Sequence, residues 1–298
     1  MLSRGGTTVV NFKDKRYIVL FLSPTVILLF TFLIYPLIQS VYYSFCEWYN
    51  FSNEKKFIGL ANYNQLIHDP VIWIALKNTL ILTVGAIVLQ VGGGLVLALL
   101  SDSIKRGFKF FRTVFFFPII ISGTAIGLMF SIIYNYDYGL LNAIMRAFGL
   151  SEQVWLTEKS AIYLVLIPIL WQYVGFYFVI FLTGISKIPE DIYESAQLDG
   201  ITGIQKAFKI TIPLMRDVTA ACLTLATAGA LKVFDVVYIV TKGGPMNASE
   251  LLSTYMYDKA FNGQNAGYAS TIVIAMMLLG VLITVVLNKA VKKDTISY

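Results

Sequence analysis

From position 188 the chain reads Ile188-Pro189-Glu190-Asp191-Ile192-Tyr193-Glu194-Ser195-Ala196-Gln197-Leu198-Asp199-Gly200-Ile201, and it continues to Phe208-Lys209-Ile210-Thr211-Ile212-Pro213. Pro189 suits the first turn of a helix, and Glu190 and Asp191 favour the positive end of its dipole. Gly200 supplies a residue able to adopt positive φ where that helix stops. A second short amphipathic helix is expected to follow, with Ile204, Ala207 and Phe208 on one side, until Pro213 ends it. Two such helices in sequence predict a rigid knob. By composition alone, an ordinary helix lying at a membrane interface would look the same.

The knob stands between two long apolar runs. Of the 298 residues, 57% are hydrophobic and 13% charged, against roughly 25% charged in a soluble domain. A hydrocarbon core about 30 Å thick needs about 20 apolar helical residues to cross it. Runs of that length occur at 17–42, 73–100, 113–134, 161–185, 218–240 and 269–287, with the knob in the 186–217 segment. Backbone groups in lipid must bond internally, and the alternating pattern of barrel strands is absent, so these runs are expected to be helices. The fold class expected is all-α: one polytopic transmembrane domain over 1–298, with six helices.

Charge placement gives an orientation. Fifteen of the 23 Lys and Arg residues fall in the segments that share a side with 186–217, among them Arg4, Lys13, Lys105, Arg106, Lys206, Lys209, Lys292 and Lys293. The positive-inside rule therefore predicts that both termini and the 186–217 loop are cytoplasmic. The net charge of +6 records that orientation rather than a nucleic-acid ligand. Cys46 and Cys222 lie far apart, without CxxC spacing, and the single His68 sits in a polar loop, which argues against a disulfide framework or a zinc site. Met1 to Lys15 holds no apolar run followed by a cleavage site, so the first span is expected to be retained. Pro24, Pro36, Pro118 and Pro168 are expected to kink spans without marking a gate. Gly92-Gly93-Gly94, Gly123 and Gly127 suit close helix packing.

Glu194-Ser195-Ala196, then Asp199-Gly200, with Pro213 thirteen residues later, resembles the EAA loop of ABC-importer permeases. Ser195 and Ile201 stand where alanine is usual, and Ile212 replaces leucine. The resemblance covers nearly the whole chain. Tyr35-Pro36, Phe57-Ile58-Gly59-Leu60-Ala61-Asn62-Tyr63, Gly139-Leu140-Leu141-Asn142, Trp171-Gln172 and Phe234-Asp235 through Gly243-Gly244-Pro245 look like the carbohydrate-uptake branch, and like the first of its two permeases. The extra spans and large external insertion of the larger maltose permease are missing.

The resemblance implies a coupling helix that docks on an ATPase, with Glu194, Ser195, Ala196, Asp199, Gly200, Phe208 and Pro213 as the coupling residues. Glu194 would be the polar anchor, Asp199 a cap for the following turn, and Phe208 an apolar contact. It further implies a second homologous permease, two ATPase subunits carrying ATP and Mg, and an external sugar-binding protein. This chain contains no GxxxxGK[ST] loop, so no nucleotide is expected on it, and no catalytic cluster is apparent.

Sugars are held by aromatic faces and by polar side chains on hydroxyls. Trp171, Gln172, Tyr173, Phe176 and Tyr177 are candidates on the fourth span. Lys232 and Asp235 are charges at membrane depth, expected to face a cavity or to pair with each other. An intersubunit salt bridge or interfacial snorkelling would explain Lys232 equally well. Two alternatives stay open: a glycerol-phosphate cargo, favoured by Lys232, and a secondary carrier, which would need an acidic relay and paired repeats that are not seen.

Overall fold

The computed structural model describes residues 15–101 and 108–291. The expectations resting on Arg4, Lys13, Lys105, Arg106, Lys292, Lys293 and the chain ends lie outside the described residues.

Among the described residues five helices are long and apolar enough to cross a membrane: Ile18–Ser44, Pro70–Ser101, Ala161–Ile185, Arg216–Val240 and Ala266–Ala290. A sixth crossing is a bent pair, Phe110–Ile120 and Gly123–Ile133, whose halves meet at 92°. The sequence expectation of one continuous span over 113–134 therefore needs correction. Pro118 lies in a 3-10 turn, Phe117–Ile120, and the backbone then extends at Ile121 and Ser122. The Ala125 N–H donates to the Ser122 hydroxyl at 3.2 Å, which caps the second half. The exposed backbone is bonded elsewhere: the Gln172 amide donates to the Ile121 carbonyl at 2.9 Å.

The fifth span is also broken. Its first helix, Arg216–Leu231, stops before Lys232, and a second, Asp235–Val240, starts after Phe234, so the expected 218–240 helix is interrupted at 232–234. No proline or glycine stands in that gap. The Val233 carbonyl accepts the Ser253 hydroxyl, a bond supplied from another part of the chain.

Other prolines are absorbed without a sharp bend. Pro36 has no N–H, and the preceding Tyr35 donates five residues back to the Phe30 carbonyl, forming a short π segment. The same device precedes Pro213, where the Ile212 N–H reaches the Ala207 carbonyl. Pro168 leaves the Leu164 carbonyl without its helical donor, and the Tyr134 hydroxyl bonds it at 3.0 Å.

The fourth span is central, with Val165, Phe178 and Phe181 fully buried. Two glycines let neighbours approach it. A Cβ on Gly175 would lie 1.7 Å from the Phe115 carbonyl oxygen, and one on Gly94 would lie 2.8 Å from the Phe178 nitrogen. Of the Gly92-Gly93-Gly94 run, only Gly94 makes so close an approach. A Cβ on Gly127 would lie 3.1 Å from the Ile239 side chain.

At one end of the bundle a two-stranded hairpin pairs Cys46 with Phe57 and Glu47 with Lys56. Asn62 braces it, donating to the Ser44 and Cys46 carbonyls at 3.0 and 2.9 Å. The helical knob at 190–214 occupies the opposite end. From Ile18 to Ile34 the first span is exposed apart from half-buried Ser23, and among the described residues no other element covers it.

Candidate functional site: a cavity and a helical knob

A cavity of about 350 Å³ lies between the second, fourth and fifth spans and the bend of the third. Gln172, Tyr173, Phe176 and Tyr177 all line it, as do Lys232 and Asp235. At 100° per residue, positions 172, 173, 176 and 177 share one helical face. Trp171 falls outside that arc. It is 39% exposed and packs on Phe130, ring centroids 6.3 Å apart, so the expectation that it joins the group is corrected.

Lys232 and Asp235 owe their place to the break in the fifth span, which turns both toward the cavity. No ion pair joins them among the described residues. Gly123 meets the Asp235 side chain at van der Waals distance, 3.4 Å for an added Cβ. Two buried amides brace the wall: Gln172 on Ile121, and Gln90, whose Nε2 donates to the Ile169 carbonyl at 3.0 Å. The sequence reading missed Gln90, Gly229 and Phe234, which also line the cavity. Gln90 did carry a signal, since an amide in the middle of an apolar run is costly in lipid unless it serves a bundle interior.

The knob begins with the helix Glu190–Leu198. Pro189 is its N-cap, in extended conformation, rather than part of its first turn. Gly200 adopts φ +76, its N–H donating to Gln197 while Ile201 donates to the Ala196 carbonyl at 2.9 Å. That pair of bonds is a Schellman ending. Asp199 is therefore the C-cap of this first helix and makes no capping bond to the next turn, correcting the expectation. The turn into the second helix is made instead by Gly203, at φ +54. That helix runs past Pro213 to Leu214, one residue beyond the expected stop.

Tyr193 ties the two helices together. Its hydroxyl lies 3.3 Å from Thr211 Oγ1, and the Lys206 ammonium sits 3.9 Å over its ring. Ala196 is buried, and Met215 is seated where Gly184 has no side chain. Glu194 and Ser195 are exposed, the Ser195 hydroxyl donating to the Asp191 carbonyl at 2.8 Å. Outward from the knob stand three apolar side chains, Leu198 at 90% exposure, Ile204 at 78% and Phe208 at 67%.

Residues 90–296 match the family model of the binding-protein-dependent transport system inner membrane component. The chain is 42% identical over 285 residues to the probable ABC transporter permease protein YurN of Bacillus subtilis, covering 94% of this chain and 97% of that protein. It is 29% identical to the trehalose/maltose transport system permease protein MalF of Thermococcus litoralis, over 95% of this chain and 96% of that one. Its fold matches a chain in the crystal structure of a bacterial alginate ABC transporter in complex with an alginate pentasaccharide-bound periplasmic protein, with a TM-score of 0.81 and 24% identity over 94% and 96% of the two chains. With a cavity between its spans and a helical knob at one end of them, the chain belongs to the family of binding-protein-dependent transport system inner membrane components.

Proposed function

We propose that this chain forms half of the translocation pathway of a sugar importer, carrying a di- or oligosaccharide. A second homologous permease completes the pathway, two ATPase subunits holding ATP and Mg drive it, and an extracytoplasmic sugar-binding protein delivers the cargo. The first span, uncovered among the described residues, supports a partner of the same kind. The Lys and Arg distribution supports cytoplasmic termini and a cytoplasmic knob.

One observation carries this reading: the knob holds Leu198, Ile204 and Phe208 exposed on a framework locked by Tyr193 and Met215. Exposed apolar side chains on the knob that also carries the Glu194 carboxylate suit docking into a cleft on an ATPase. ATP-driven closure of that ATPase pair would then move the knob and shift the cavity between its two open states. Gln172, Tyr173, Phe176 and Tyr177, with Lys232 and Asp235, supply aromatic faces and polar groups suited to a sugar. The sugar cargo of the MalF relative supports the same choice.

A second cargo, glycerol phosphate, is favoured by Lys232 alone, which reaches the cavity without an ion pair to Asp235. Both readings are tested by uptake into proteoliposomes carrying the full set of subunits, for wild type, Glu194→Lys and Gly200→Asp. The expected result is normal assembly with loss of ATP-driven sugar uptake in both variants. Unchanged uptake would remove the knob from the drive, and uptake of glycerol phosphate in preference to any sugar would select the second cargo.

A further inference from the structure

Five aromatic rings run in unbroken contact from the cavity wall to the hairpin end of the bundle. Phe234, at the break in the fifth span, lines the cavity. It stacks on Tyr238 with centroids 4.9 Å apart and planes at 20°, and it meets Tyr257 at 4.8 Å. Tyr257 meets Phe261 at 4.7 Å, and Phe261 meets Phe51 in the hairpin loop at 5.9 Å. Three separate segments of the chain contribute these rings.

They are not a core. Phe51 and Phe261 are 50% and 55% exposed, and Phe234, Tyr238 and Tyr257 are half-buried. An interfacial belt would spread its rings around the rim of the bundle, whereas these follow one another toward a cavity. Beyond Phe51 the contacts continue through Trp48 to Tyr43 at 5.6 and 4.4 Å. There the Lys55 ammonium lies 4.7 Å over the Trp48 ring and 4.8 Å over the Tyr43 ring, and the line is followed only as far as Phe51.

Polar groups accompany the rings. Tyr238 and Tyr257 carry hydroxyls, and beside Phe261 the Asn262 amide bonds the Asp258 carboxylate at 2.9 Å. Aromatic faces for C–H surfaces, edged by hydroxyl, amide and carboxylate groups, make a surface suited to carbohydrate.

We propose that Phe51, Phe261, Tyr257, Tyr238 and Phe234 form a track along which the pyranose rings of the saccharide pass between the hairpin end and the cavity. This rests on the sugar reading above. Each ring offers weak, sequence-tolerant stacking, so a sugar can leave one for the next without a deep trap. The ring contacts also couple the track to the broken span, because Phe234 belongs to both.

The test uses the complete importer, with both permeases, the ATPases and the binding protein, in proteoliposomes supplied with labelled maltose, trehalose and maltotriose. Tyr257→Leu and Phe261→Leu keep apolar volume and remove the ring; Tyr257→Phe and Phe261→Tyr keep it. Each leucine variant is expected to slow uptake about two- to tenfold, while ATP hydrolysis stimulated by the loaded binding protein stays at the wild-type rate. The ring-keeping variants should transport like wild type. Leucine variants that transport normally would overturn the track and leave the sugar reading standing. ATP hydrolysis that falls in step with uptake would assign the rings to the fold or to binding-protein docking, and would also overturn it. A wild type that takes up none of the three sugars would rule out these glucose saccharides as the cargo, and the track argued for them with it.

Discussion

The Tyr268 hydroxyl donates to Asp69 at 2.8 Å, joining residues 199 positions apart. The Tyr255 hydroxyl reaches the same carboxylate oxygen at 2.6 Å, and the other oxygen accepts the Val71 N–H at 2.9 Å. One side chain thus fastens the start of the second span, the helix Leu252–Tyr257 and the start of the sixth span.

Burial raises the Asp69 pKa, but the two tyrosine hydroxyls, the Val71 N–H and the Lys259 charge outweigh it and hold the carboxyl below the usual carboxylate range. A lowered folded pKa gives stability that is present above the unfolded value and is lost as pH falls through the folded one. Asp69→Asn is expected to destabilise the protein at neutral pH by about 1–3 kcal/mol, and to lessen the acid dependence of the remaining stability. Thermal unfolding of the detergent-solubilised protein checks both, and a neutral-pH Tm equal to wild type would refute the fastening role.

Glu250 has the opposite sign. It is buried in the loop after the fifth span, accepts the Thr254 hydroxyl at 2.6 Å, and gives its backbone carbonyl to the Asn78 amide at 3.0 Å. Burial pushes its carboxyl up, the Thr254 bond opposes this, and the Asp258 charge adds to it. A raised folded pKa means that the protonated form favours the fold, so stability is full below the unfolded value and is lost as pH rises through the folded one. Glu250→Gln keeps an acceptor without the charge. Its Tm should exceed that of wild type toward alkaline pH and converge with it in acid, read from unfolding scans between about pH 4 and 9.

Gly175 permits a close crossing of the third and fourth spans. With an added Cβ 1.7 Å from the Phe115 carbonyl oxygen, Gly175→Ala must push the bent third span away from the fourth. A loss of about 1–3 kcal/mol is expected, as for other overpacked sites. Gly92→Ala, whose Cβ would find only the Ile87 carbonyl at 3.9 Å, should be tolerated. The yield of monodisperse protein separates the two, and equal yields would contradict the crossing.

Phe208 and Leu198 can be altered without touching the packed side of the knob. Phe208→Ser should leave membrane insertion and Tm unchanged while weakening association with the ATPase subunits by about tenfold, measured by co-purification over a range of ATPase concentrations. Undiminished association would move the docking surface elsewhere.

Much of this was legible in the sequence because it follows local rules. Apolar runs near bilayer length mark the spans, and Gly200 ends the Glu190–Leu198 helix as a residue free to take positive φ should. One face of a regular helix gathers Gln172, Tyr173, Phe176 and Tyr177. Pro118 was visible, but its effect was not: whether a proline leaves a kink or a 92° turn depends on who bonds the freed backbone. Here Gln172 does, from another helix.

The break at 232–234 had no local mark at all, neither proline nor glycine. Ser253 bonds the Val233 carbonyl from the helix Leu252–Tyr257, and Asn78 holds the loop leading into that helix by bonds to the Ala248 and Glu250 carbonyls at 3.0 Å. Such bonds join residues as many as 172 positions apart, where neither periodicity nor propensity carries information. The sequence by itself determined that the chain is a helical membrane protein and which side chains lie at membrane depth. Tertiary structure alone decided which helices break and which side chains meet at the cavity, because in a water-free interior each interrupted backbone group must find its partner on another element.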